Sequence, residues 1–216
     1  MVFLQDERAI EYATLRSVQN FYRETKAQWC FVVPPGLTSL FDRAIKKIRI
    51  SQRRVIPQMV LEAEEIEIPA PPSDLKILTV KTVGEMRTWT IVAKTGFGMG
   101  RQNAFRSLLN ARSLESYRVT SFTGSVSSKP VATSCAFVSE GITGIFGVST
   151  VPKARGHGYG EAMTWETVRY GASRGSHLFS LQASPMGFPI YHRMGFRRIS
   201  DIEEWEVPAK APDATR

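Results

Sequence analysis

The stretch GVSTVPKARGHGYGEAMTWETV, Gly147 to Val168, constrains this chain more than any other. An apolar-leaning run stops at Pro152, glycines stand at 156, 158 and 160, and a helical pattern follows. Alternating glycines remove Cβ atoms, so the backbone can tighten and several N–H groups can converge on one point. The helix that follows adds its own free N–H groups and the positive end of its dipole. The combination is a cradle for a di-anion such as a pyrophosphate, with Lys153 and Arg155 at the rim to supply counter-charge.

Two common phosphate loops do not fit. A nucleotide-hydrolase loop ends Gly-Lys-Ser/Thr, whereas Gly160 is followed by Glu161 and Ala162. A dinucleotide fingerprint needs G-x-G-x-x-G after a first parallel strand. Here the spacing is G-x-G-x-G, and the preceding strands read as antiparallel neighbours.

The clearest break in the chain is IPAPPSD, Ile68 to Asp74. Its prolines exclude a helix and disfavour a paired strand, so it reads as a semi-extended connector. The expected organisation is an N-terminal segment over 1–72, a second domain over 73–207 and a frayed tail over 208–216. Within the second domain, LKILTVKTV reads as a strand and GEMRTWTIVAKTGF as a helix, with apolar positions at 86, 89, 92 and 93. QNAFRSLLNARSL reads as a second helix. YRVTSFTG, KPVATSCAFVSEG and ITGIFGVST read as three strands separated by turns. The glycine turn leads to a helix over 160–173, then HLFSLQAS is a strand, GFPIYHRMG a short helix and FRRISDIEEWEV a closing strand. The string β-α-α-β-β-β-α-β-α-β packs most naturally as an α+β domain, a mixed sheet with helices on both sides. The N-terminal WCFVVPPGLTSLFDRAIKKIRIS echoes LFSLQASPMGFPIYHRMGFRRIS, both running strand, turn, helix and basic strand start.

The residues Arg155-Gly156-His157-Gly158-Tyr159-Gly160 resemble the Q/R-x-x-G-x-G/A signature of the GNAT superfamily of acyl-coenzyme A-dependent N-acyltransferases. Val148-Ser149-Thr150 resembles the end of the strand before that signature. Ile190-Tyr191-His192-Arg193-Met194-Gly195-Phe196 resembles the superfamily's Tyr-x-x-x-Gly-Phe ending, 31 residues beyond Gly160. The resemblance covers about residues 74–207, roughly two-thirds of the chain. The wider pattern is similar to a subgroup in which a degenerate N-terminal acyltransferase-like domain precedes an intact one. It implies a mixed, mostly antiparallel central sheet flanked by helices, with a smaller degenerate α/β segment before it.

The resemblance further implies acetyl-coenzyme A as co-substrate and a primary amine of a small molecule or peptide as acceptor. Backbone groups of Val148, Ser149 and Thr150 are expected to hold the pantetheine arm and acyl carbonyl. Arg155, Gly156, His157, Gly158, Tyr159 and Gly160 are expected to grip the pyrophosphate, mainly through backbone. Ser184 stands where relatives often carry a cofactor-contacting asparagine, and its shorter side chain reduces the reach. Tyr191 is the expected general acid for the departing thiolate, since a phenol of pKa about 10 is protonated at neutral pH. No general base emerges: ITGIFGVSTV holds no carboxylate, Glu140 sits in the preceding turn, and His192 faces a different direction from Tyr191. A non-catalytic acyl-coenzyme A sensor is the alternative that this gap favours.

Composition narrows the partners. The net charge of +8 favours an anion somewhere. Much of the excess sits in DRAIKKIRISQRR, but stacking aromatics are missing there and acids follow in EAEEIE, so nucleic-acid binding is discounted. His157, His177 and His192 have no metal-ligand spacing, so no metal is expected. Cys30 and Cys135 read as buried reduced thiols. The longest apolar runs fall far short of the roughly 20 residues of a membrane helix, and the first residues do not read as a signal peptide. A cytoplasmic protein is expected; its oligomeric state stays open, a homodimer among the options.

Overall fold

The computed structural model describes residues 2–3, 10–25, 29–47, 52–62, 66–99 and 114–207. The helix expected over QNAFRSLLNARSL lies outside these residues apart from Leu114, as does the expected tail. By internal contacts the chain forms two units, Met1–Gln58 with Arg198–Arg216, and Met59–Arg197.

The first unit contains β1 (Val2–Phe3), α1 (Tyr12–Thr25), β2 (Trp29–Val33), α2 (Thr38–Ala44), most of β3 (Gln52–Glu62) and nearly all of β9 (Arg197–Val207). β1 lies parallel to β2, and β2 pairs antiparallel with β9 from Trp29–Val207 to Val33–Glu203. The alternation of β2 sends Phe31 and Val33 to one face and Cys30 and Val32 to the other. Phe31 and Val33 join Leu15, Phe41, Trp205 and Val207, while Cys30 and Val32 meet Ile202 and Ile56. Phe41 sits edge-on to Phe31 at 5.1 Å and to Trp205 at 5.3 Å. The sequence reading puts the division at the proline connector. By contacts that connector lies inside the second unit, and β9 groups with the N-terminal residues because it pairs with β2.

The second unit contains β4 (Leu75–Thr79), α3 (Val83–Gly96), β5 (Val119–Val126), β6 (Lys129–Ser139), β7 (Ile142–Thr150), α4 (Tyr159–Ser173), β8 (Leu178–Gln182) and α5 (Phe188–Arg193). Its strands run in the order β3-β8-β7-β6-β5-β4, with β3 contributing only its last four residues to this unit. The pairs β4–β5, β5–β6 and β6–β7 are antiparallel, and β7–β8 is parallel. The fold is therefore α+β, with a mixed, mostly antiparallel sheet, as the sequence predicts.

Period-two alternation along β6 decides which helix covers which face. Ala132 and Ala136 pack under α4 with Met163 and Ala162. Cys135 faces the other way, under Met86, Trp89 and Ala93 of α3. The four apolar positions read from the α3 sequence are all buried.

The two helices start differently. α3 opens on a capping box: Thr82 Oγ1 accepts from the Glu85 N–H, and Glu85 accepts from the Thr82 N–H. α4 opens on Gly158, which has no side chain to cap the first amides. One helix closes off its free N–H groups, and the other leaves them available.

Candidate functional site

The centre of the site is an irregularity between β6 and β7. Thr133 pairs with Ser149, but Cys135 pairs with Phe146, so β7 carries one residue more than β6 over this step. Gly147 absorbs the extra residue at φ +60°, a region only glycine enters freely. A Cβ there would lie 2.8 Å from the Trp89 ring, so no other residue fits. On β6, opposite the bulge, the Ser134 carbonyl accepts from the Trp89 indole N–H at 3.0 Å. On the α3 face, the Thr133 hydroxyl donates to the Gly147 carbonyl at 2.8 Å. The Ser149 hydroxyl, 2.8 Å from Thr133 Oγ1, must then donate to that oxygen. Ser149 therefore braces the bulge with its side chain, while its main chain pairs with Thr133.

The other edge of β7 opens at the same level. Pairing with β8 runs from Ile142–Leu178 to Ile145–Leu181 and stops. Beyond it the β8-facing edge of residues 146–150, including Val148 and Thr150, has no β8 partner. An extended chain entering there would meet the free edge of β7.

At the end of β7 a short 3-10 turn, Pro152–Ala154, hands over to the glycine loop. Gly156 and Gly158 have φ of +83° and +76°. A Cβ on Gly156 would meet nothing within 4 Å, and one on Gly160 would come 3.4 Å from Thr150 Oγ1. The space above these residues is open, and the uncapped amides of a 15-residue helix adjoin it. That donor set fits a di-anion.

The side chains of the loop are committed elsewhere. The Arg155 guanidinium donates to the carbonyls of Gly96 at 2.7 Å and Thr150 at 3.3 Å, so the counter-charge expected from it at the rim is spent tying the end of α3 to the end of β7. His157 Nδ1 lies 2.9 Å from the Arg155 carbonyl, and its ring stacks on Tyr159. Tyr159 is buried and donates to Asp74 Oδ2 at 2.5 Å.

Tyr191 arrives from α5, buried in a cluster with Trp165, Met194 and Phe196, against which Val148 also packs. Burial pushes its phenol up to about 12, and the neighbouring Thr164 hydroxyl pulls slightly the other way. The phenol is not the unperturbed group that the sequence suggests, but the shift keeps it protonated. Thr164 sits one helical turn after Gly160 and donates to its carbonyl at 2.9 Å. Tyr191, Thr164, Gly160 and Val148 thus converge. Ser184 Oγ instead accepts from the Gly187 N–H at 3.1 Å and shapes the turn into α5. Glu140 lies nine residues before Ser149 along an extended strand, about 30 Å away. A larger cavity of about 450 Å³, lined by Tyr117, Arg118, Glu140 and Arg174, sits at that remote end.

Sequence reasoning missed Trp89, Thr133 and Thr164. A glycine inside a strand at 147 signals a bulge; nothing local marks the residues that brace it. Among the described residues no group of three or more His, Cys, Asp or Glu could hold a metal ion, and no helix is long and apolar enough to cross a membrane.

The bulged β7, its parting from β8 and the glycine turn into α4 define a class: the chain has the fold of the GCN5-related N-acetyltransferases. Over 96% of its length it is similar to such a protein from Kribbella flavida, at TM-score 0.67 and 16% identity, covering 78% of that chain. A GCN5-related N-acetyltransferase from Sphaerobacter thermophilus matches 92% of the chain at TM-score 0.68 and 15% identity, with 66% of that protein covered. A tandem GNAT protein from the clavulanic acid biosynthesis pathway matches 97% of the chain at TM-score 0.61 and 13% identity, over 73% of its own length. At these identities the likeness is one of fold. No protein-family model matches the sequence, and no curated protein matches it.

Proposed function

We propose that this protein is an acetyl-coenzyme A-dependent N-acetyltransferase that passes the acetyl group to a primary amine of a small molecule or peptide by direct attack. The observation that carries the reading is the coincidence, at one end of β7, of an unpaired strand edge, an uncapped glycine-rich helix start and a buried protonated phenol. Acetyl-coenzyme A, when bound, supplies an activated acyl thioester. The main chain of Val148 and Thr150, on the open edge, holds the arm in register along β7, and Ser149 between them ties that edge to β6. One of their N–H groups donates to the acyl oxygen as it gains charge. The amides from Gly156 to Gly160 take the pyrophosphate, and Arg155 keeps the loop in place. Tyr191 holds the proton that the departing thiolate receives.

The amine enters already neutral in this scheme, since Glu140 is too remote to serve as base. Buried free thiols at Cys30 and Cys135 suit a cytoplasmic protein. The segment before the connector is read as a decayed copy of the acyltransferase fold. Its cationic run has local partners: Arg53 bonds Glu203, and Arg54 bonds Glu206, which argues against a nucleic-acid surface there.

The missing base favours one alternative, a sensor that binds the cofactor without turnover. Thiol release from acetyl-coenzyme A, measured against a panel of amines, separates the two. Saturable, amine-dependent release that collapses in Tyr191→Phe supports the enzyme. Tight cofactor binding without release on any amine supports the sensor.

A further inference from the structure

The cavity of about 450 Å³ at the far end of β7 takes no part in the chemistry proposed above. It lies between the start of β5, the β6–β7 turn and the last turn of α4, all within the second unit. Its walls include Tyr117, Arg118, Val138, Glu140 and Arg174. A volume of this size falls in the ~300–1,000 Å³ range of small-molecule sites.

Three charges here are unspent. Arg174 and Glu140 make no side-chain hydrogen bond or ion pair among the described residues. Arg118 gives its Nε–H to the Tyr117 hydroxyl at 3.0 Å, and its guanidinium carbon lies 5.3 Å from the centre of that ring. Its terminal amino groups stay open. Glu140 also holds a backbone conformation that suits it poorly. Ser139 pairs with Ile142, so Glu140 and Gly141 form a two-residue hairpin loop, with φ of +49° and +74°. Such a loop favours Asn, Asp or Gly at its first position, and a glutamate there is strained. A strained residue whose carboxylate bonds to nothing among the described residues points to a ligand.

We propose that this cavity binds a free α-amino acid with an aromatic side chain. The guanidiniums of Arg118 and Arg174 take the carboxylate. Glu140 takes the ammonium, and the last turn of α4 adds the negative end of its dipole. The side chain rests on Val138 and on the Tyr117 ring, which is 74% exposed. Only a ligand that carries both signs matches such a wall: a plain anion meets Glu140, and a plain amine meets two arginines. Glu140 lies about 30 Å from Ser149, so an amine held here is out of reach of the transfer step. The amino acid is therefore a second ligand and not the acceptor.

Calorimetric titration with L-phenylalanine, its amide and its N-acetyl derivative tests this, because the amide lacks the carboxylate and the N-acetyl compound lacks the ammonium. L-Phenylalanine should bind the wild type about tenfold more tightly than either, the worth of one charged hydrogen bond. With Arg118→Ala and Arg174→Ala combined, the preference over the amide should fall to near one. In Glu140→Asn, which suits the turn better, the preference over the N-acetyl compound should fall to near one while the melting temperature stays level or rises. Both variants should bind acetyl-coenzyme A as the wild type does, which separates this site from the function proposed above. The proposal is overturned if L-phenylalanine does not bind the wild type or if the three compounds bind alike. It is equally overturned if either preference survives in its variant, since the amino acid then sits elsewhere.

Discussion

The indole nitrogen of Trp89 on α3 donates to the main-chain carbonyl of Ser134 on β6 at 3.0 Å, on the strand opposite the β7 bulge. The same ring closes over Gly147, where the extra residue sits. A helix on one face of the sheet thereby fixes an irregularity in its central ladder. The irregularity lies at the level where the pairing of β7 with β8 ends.

Replacing Trp89 with Phe tests that coupling. The carbonyl of Ser134 loses its indole donor in a fully buried position, at a cost of ~0.5–1.5 kcal/mol. Denaturant unfolding should show this loss. Acetyl-coenzyme A affinity should fall as well, because the bulge is no longer braced. Unchanged stability and affinity would mean that the bulge holds itself.

Arg155 gives a contrast between charge and shape. Its guanidinium spans two carbonyls, Gly96 and Thr150, which a single ammonium cannot do in the same geometry. Arg155→Lys should therefore bind acetyl-coenzyme A as weakly as Arg155→Ala, as calorimetry can measure. Rescue by lysine would show that counter-charge alone matters.

For Tyr191, the expected loss in kcat on substitution by Phe is about 10²–10⁴-fold, the range of a positioned general acid. Its phenol is held at about 12, so it stays protonated at pH 10, where an ordinary tyrosine is half ionised. The kcat profile should accordingly show no falling limb through pH 10. A fall centred near that pH would mean that the phenol is unshifted.

Stability should decline on the alkaline side. Burial raises the Cys135 thiol from 9.0 to about 11 and the Tyr191 phenol from 10.0 to about 12. Each raised value favours the protonated, folded form, so its contribution is complete below the unfolded pKa and lost as pH climbs to the folded one. The windows are pH 9–11 for Cys135 and 10–12 for Tyr191. Full loss of the thiol contribution amounts to roughly 2–3 kcal/mol. Urea unfolding at pH 8 and pH 10.5 should show the drop, and Cys135→Ala should reduce it, the rest coming from Cys30, whose buried thiol is likewise raised to about 11.

Local signals suffice for the described elements of the second unit and for the loop, but α1 goes unread. Met86, Trp89, Val92 and Ala93 announce α3 by spacing alone, and the glycines at 156, 158 and 160 announce the turn into α4. Partnerships set by tertiary packing were not visible. The sequence offers no sign that Arg155 turns to Gly96, that Ser184 holds the Gly187 amide before α5, or that Tyr159 reaches Asp74, 85 residues away. Nor does it show that β9 pairs with β2, because strand order depends on which edges are left open. The connector's prolines read correctly as extended chain, while its anchoring to α4 depends on Arg169 and Tyr159, which look like ordinary helix residues.

Calorimetric titration of acetyl-coenzyme A into Gly160→Val tests the central claim most directly. Gly160 lies within the first turn of α4, and a Cβ there makes only ordinary contact with Thr150, so the helix can form with the branched side chain standing over the amides. Saturable binding to the wild type and none to the variant is expected, with the two melting alike. Equal affinity in both proteins would contradict it.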